Sequence, residues 1–184
     1  MHKFAPLFLF IGLANGLAAE SKFAPTDWPN WRGLTSDGQA PLVEGLPTEW
    51  SEKNNVVWKT SIPGKGHSTP TVVGGRIYLA TADENEMFQA VLCVDKADGR
   101  VVWQTKVHEG QFAIGLNTNA SHAGTAVVHD GERLFVNFVI GNQAFASAIG
   151  LDGKILWQKP IGKYKVHQGY GSSPMVYRDI VVVK

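Results

Sequence analysis

This chain holds one cysteine, Cys93, among its 184 residues. A single cysteine excludes an internal disulfide framework, a cysteine-based zinc site and a paired-cysteine redox motif. Its expected place is a strand interior, where a free thiol behaves as a small hydrophobe. Charge is also scarce, at 18% of residues, and nearly balanced, with 17 basic and 16 acidic side chains for a net +1. A surface that binds nucleic acid, or a polybasic membrane arm, needs a concentrated positive field, so neither is expected. No long window spaces apolar residues at i, i+3, i+4 and i+7, which argues against substantial helices. Phosphate-binding loops, dinucleotide fingerprints and HExxH zinc motifs are missing as well.

What the chain does have is apolar content of 44%, 20 glycines, 9 prolines and 10% aromatics. That mixture excludes a disordered tail and suits short strands joined by tight turns. Residues 1–19 are set apart. His2 and Lys3 precede an apolar stretch from Phe4 to Leu13, and Gly16-Leu17-Ala18-Ala19 offers small residues for cleavage. This is the layout of a secretory signal peptide, too short and interrupted for a membrane span. The expected product is an exported protein, periplasmic or secreted, with no membrane span and no cysteine placed to take a lipid anchor.

Residues 20–53 are rich in Trp, Pro and Gly, as in Trp28-Pro29-Asn30-Trp31-Arg32-Gly33 and Gly45-Leu46-Pro47. Prolines at this density break helices and central strands, so the segment is expected to be irregular and pinned by Trp28, Trp31 and Trp50. From residue 54 onward short strands follow one another. Val56 to Thr60 is one, and Thr71-Val72-Val73 with Arg76 to Thr81 makes a hairpin on Gly74-Gly75. Met87 to Asp95 and Val101 to Val107 flank the turn Lys96-Ala97-Asp98-Gly99.

These strands repeat. Asp98-Gly99-Arg100-Val101-Val102-Trp103 matches Asp152-Gly153-Lys154-Ile155-Leu156-Trp157 at an offset of 54, and His67 to Val73 aligns with His122 to Val128 at 55. Gly171-Ser172-Ser173-Pro174 opens the unit a third time. Four-stranded units of about 40–50 residues are propeller blades, which bury both faces only by stacking around an axis. The expected fold is an all-β propeller portion. Its parts are a closing strand at 54–62, blades at 68–107 and 123–161, and the start of another at 171–184, about two and a half blades in all. In each Gly-x-x-x-Trp the glycine permits a left-handed turn or a close backbone approach, and the indole packs over a neighbouring blade. Gly99, Trp103, Gly153, Trp157 and Trp58 are therefore expected to dock blades rather than perform chemistry.

Asp95-Lys96-Ala97-Asp98-Gly99-Arg100-Val101-Val102-Trp103 resembles the tryptophan-docking motif of the pyrroloquinoline-quinone-like propeller family, Ala-x-Asp-x-x-Thr-Gly-x-x-x-Trp. Cys93 stands at the Ala position and Asp98 at the Thr position; in the second copy Ile149 falls at the Asp position. The Trp-rich opening is similar to exported bacterial members akin to the propeller subunit of the outer-membrane β-barrel assembly machinery. The resemblance implies closure with about eight blades, so this chain would be an incomplete N-terminal portion. It also implies two alternatives for function. One is a non-catalytic module that binds a protein partner through loops or blade edges, with no cofactor. The other is a quinoprotein-type oxidoreductase holding pyrroloquinoline quinone and Ca²⁺, whose adjacent cysteines this stretch lacks.

Few residues invite chemistry of their own. His67 and His122 share one repeat position, at the mouth of a propeller channel, where they are candidates to ligate a metal or bind a ligand; the bland alternative is a pair of solvated loop histidines. Asp83, Glu84 and Glu86 form an acidic loop without the glycine and distal glutamate of a calcium site. Ser172 and Ser173 precede Pro174, which rules out a nucleophile elbow, and are expected to bond local backbone.

Overall fold

The computed structural model describes residues 21–184, so the signal peptide expected at 1–19 lies outside the described residues. Every regular element among them is a strand. One antiparallel sheet holds β1 (Thr71–Val73), β2 (Arg76–Asp83), β3 (Phe88–Asp95) and β4 (Val101–Glu109) in that order. A second repeats the plan with β5 (Val128–His129), β6 (Arg133–Ile140), β7 (Gln143–Gly150) and β8 (Ile155–Lys163). A hairpin follows, β9 (Met175–Tyr177) against β10 (Ile180–Val182). β9 lies beside β5, as β5 lies beside β1. Four-stranded antiparallel sheets stacked by their first strands are blades of a β-propeller.

Alternation along the strands puts one row of side chains on each blade face. On the face of the first blade turned to the second, Tyr78 pairs with Cys93 and Cys93 with Trp103. Ala80, Val91 and Val107 share that face, and they pack on Leu134, Val136, Phe138 and Ile149 of the next blade in one apolar cluster. β3 is buried along almost its whole length because both of its faces are covered. β4 and β8, the outermost strands, are mostly exposed, as the last strands of blades should be.

Three details differ from the sequence expectation. No strand forms at 54–62: Asn54 makes only an isolated bridge to Ser51, and the rest joins no sheet. A strand exists only where a second backbone takes up its N–H and C=O groups, and among the described residues no backbone pairs with residues 55–62. Residues 21–53 are irregular and held by backbone hydrogen bonds at one tryptophan rather than by three indoles. Trp28 exchanges backbone hydrogen bonds with Val72 on the free edge of β1, while Trp31 and Trp50 are 55% and 71% exposed. The turn register also shifts. Arg76 faces Asp95 and Arg133 faces Gly150, so the counterpart of Asp95 is Gly150, not Ile149. The second turn is one residue shorter, which is why β3 repeats at 55 and β4 at 54. The turn from β6 to β7 is two residues shorter than that from β2 to β3, so β1 and β2 repeat at 57.

Candidate functional site

The tryptophans form a lock that repeats at successive junctions. Trp58 Nε1 donates to Lys96 O at 2.9 Å, and Trp103 Nε1 donates to Leu151 O at 3.0 Å. Two residues beyond each indole a threonine follows: Thr60 Oγ1 donates to Gly99 O and Thr105 Oγ1 to Gly153 O, both at 2.5 Å. Gly99 and Gly153 adopt φ of +75° and +86°. A Cβ at Gly99 would stand 2.5 Å from Trp58 Cε3, and one at Gly153 2.9 Å from Trp103 Cδ2. The glycine thus meets both conditions at once, a left-handed turn and a ring laid flat on the backbone. The ring comes from the preceding unit, never from the glycine's own motif. The threonine is the residue that sequence reasoning missed, although Trp58-Lys59-Thr60 and Trp103-Gln104-Thr105 displayed it. Trp157, the third indole, rests on Phe135 at 6.0 Å, as Trp103 rests on Tyr78 at 6.1 Å. Its second-next residue is Lys159 instead of threonine, and it donates to no carbonyl among the described residues.

Polar bonds tie the first strands together as well. Thr71 Oγ1 donates to Val127 O, and the Ala126 amide donates to Ser173 Oγ at 2.9 Å. Ser173 therefore bonds the neighbouring blade's backbone rather than its own turn, because blade stacking brings that amide closer than any local donor. Gln89, fully buried, spans the junction and donates from Nε2 to His122 O and Val139 O at 2.8 and 3.0 Å.

The two histidines lie on neighbouring passes of the chain, with the His67 amide donating to Ala123 O at 2.9 Å. His67 is exposed; His122 is half-buried and stacks on Phe112, with ring centroids 4.3 Å apart. Burial pushes the His122 imidazole below its usual range, with Lys65 acting in the same sense and Glu84 opposing. No cluster of three or more His, Cys, Asp and Glu exists among the described residues. Asp83 in the acidic loop spends Oδ1 on the Asn85 and Glu86 amides.

Phe112 leads to a feature no motif announced. The crossover from β4 to β5, the tight turn between β6 and β7, and the chain leaving β8 enclose an open cleft of about 710 Å³. Phe112 and Val166 lie buried at its base, Ala113 and Ile114 form one wall, and Gln111, Asn142, Lys163 and Lys165 are exposed around it. Two backbone hydrogen bonds hold the walls, Gly141 N to Gln111 O at 3.2 Å and Tyr164 N to Asn142 O at 2.8 Å. The cleft has the size of a ligand site.

Interlocked four-stranded blades with a loop-end cleft define a β-propeller of the pyrroloquinoline-quinone-like repeat class. A family model described as "Outer membrane protein assembly factor BamB" matches residues 42–184, and the chain belongs to that family. Comparison with curated proteins finds no match. Among the described residues no helix is long and apolar enough to cross a membrane.

Proposed function

We propose that this protein is an exported, non-catalytic propeller module that holds a protein partner at its loop end, in the periplasm or outside the cell. The observation that carries this reading is the cleft of about 710 Å³ built from loops of two locked blades. Rigid elements displaying loops are how scaffolds present a binding surface without paying for its ordering at each encounter. The family description, an assembly factor, supports a role in bringing proteins together, and the signal-like residues 1–19 support export.

A photo-crosslinking amino acid placed at Ile114, on the cleft wall, tests the reading in cells. The expected result is one discrete, saturable adduct that is missing when the same group is placed at Lys159 on the outer strand. Equal adducts at both positions, or none at either, would remove the scaffold reading. Turnover of a dye-linked alcohol oxidation by purified protein given quinone and Ca²⁺ would replace it with the oxidoreductase alternative.

A further inference from the structure

The cleft at the loop end also specifies the chemistry of its occupant. We infer that it binds an extended peptide segment of a partner protein in which carboxylate side chains alternate with apolar ones. This inference deepens the scaffold reading and rests on it.

Charge comes first. Lys163 and Lys165 both border the cleft and no acidic residue lines it. Neither lysine is among the ion pairs formed by the described residues. Glu109, two residues before Gln111, is taken by Lys106 at 2.9 Å. Two cations beside an apolar floor, with no internal counter-charge, complement an anionic group that reaches the site attached to an apolar body. One segment carries the pair. Lys163 ends β8 opposite Gln143, and Lys165 lies two residues beyond the strand, both on the stretch that borders the cleft.

The rim argues for peptide over lipid. Gln111 and Asn142 are exposed at the cleft, and each carboxamide offers both a donor and an acceptor. A peptide backbone presents both partners at every residue, whereas a lipid phosphate presents acceptors alone. The floor is apolar and backed: His122 stacks behind Phe112, and Val166 packs with Tyr170, Val139 and Ala144. Apolar side chains of the peptide would cover Phe112, Val166 and Ile114, the last of which is now 87% exposed. Its carboxylates would meet the lysines at the rim.

The test is fluorescence anisotropy of the purified full chain with a fluorescein-labelled peptide of alternating aspartate and leucine. Saturable binding that weakens as salt rises is expected. The double variant K163E/K165E should bind at least about tenfold more weakly, the scale of losing close charge pairs at an interface. It should in turn bind the matching lysine–leucine peptide, which the natural protein rejects. I114D, at an exposed position, should weaken binding without altering the circular dichroism spectrum. Unchanged affinity in K163E/K165E overturns the inference. So does lysine-dependent binding of phosphatidylglycerol vesicles that the peptide fails to displace. If the peptide does not bind while the discrete Ile114 adduct persists, only the occupant's chemistry is wrong; if both vanish, the scaffold reading falls with it.

Discussion

Trp103 and Gly153 meet across a blade junction as ring and backbone, with no room for a Cβ: one at Gly153 would lie 2.9 Å from Trp103 Cδ2 and 3.1 Å from Thr105 Oγ1. The glycine also sits at φ +86°, where an alanine is strained in its own right. Gly153→Ala should therefore destabilise the fold by roughly 1–3 kcal/mol, combining backbone strain with a displaced indole. A lowered urea midpoint at unchanged slope would show it. Gly141→Ala is the control, because a Cβ there meets nothing within 4 Å at a φ of +59°; it reports the strain alone and should cost less.

The threonine of the lock makes a separable contribution. Thr105→Val keeps the shape of the side chain and removes the donor to Gly153 O. A loss of about 1 kcal/mol is expected, the typical net contribution of one hydrogen bond, here part-buried. Chemical denaturation of Thr105→Val, Trp103→Phe and the double variant would measure how strongly the two bonds couple. Strict additivity would mean that they act independently.

Cys93 provides a clean report on opening of the blade interface. It is 1% exposed, and burial pushes its thiol above the usual range. Its counterpart in the second blade is Ala148, so its role there is to fill space. A thiol reagent should leave the native protein unlabelled and label it fully in denaturant. Labelling rates at intermediate urea should track unfolding of the junction.

Histidine burial sets an acid limit on stability. His108, His122 and His129 all titrate below the usual histidine range, each chiefly because burial disfavours the cation. Glu84 opposes this at His122, as do Asp130 and Asp27 at His129; His108 has no such compensation and its Nε2 lies buried without a partner. The unfolded chain therefore binds protons first, near pH 6.5. Stability is full above that value and falls as pH drops through the lower folded-state values. His108 packs on Phe138 and Phe145 at 6.1 and 4.9 Å, so His108→Phe should flatten part of that decline in urea midpoints measured from pH 7.5 to 5.

Much of the fold was legible because propeller repeats write their period directly into the chain. The Gly99–Trp103 and Gly153–Trp157 pairs, with turn residues between apolar strands, were enough to mark each blade's last two strands. What stayed hidden depends on neighbours in space. Val56 to Thr60 has strand composition, yet among the described residues no backbone pairs with it, and only the side chains of Trp58 and Thr60 reach the turn at Gly99. Trp31 and Trp50 carry the same apolar content as Trp28, but only Trp28 lies where β1 offers an unpaired edge. The cleft could not be foreseen at all: Phe112, Asn142 and Lys165 come from three separate connections, and none belongs to a repeated motif. The two histidines show the reverse case. An alignment at 55 paired them, but the structure repeats the first two strands at 57, with Thr125 and Asn137 standing where Ser68 and Ala80 stand. His67 and His122 therefore do not share a position, and His122 has a packing role behind Phe112.

Each lock is split between consecutive repeats, with the indole and threonine in one and the receiving turn in the next. The first full repeat therefore carries both halves of the fastener, the Gly99 turn and the Trp103 and Thr105 donors, whereas the second has Lys159 in the threonine's place. Copying the first repeat in register supplies a working junction on either side with no further substitution. A segment copied out of register would separate ring from turn and leave both unmatched. Growth of this architecture by duplication is thus confined to whole units, and the one-residue difference between the turns at Asp95 and Gly150 marks a kind of local change that such growth tolerates.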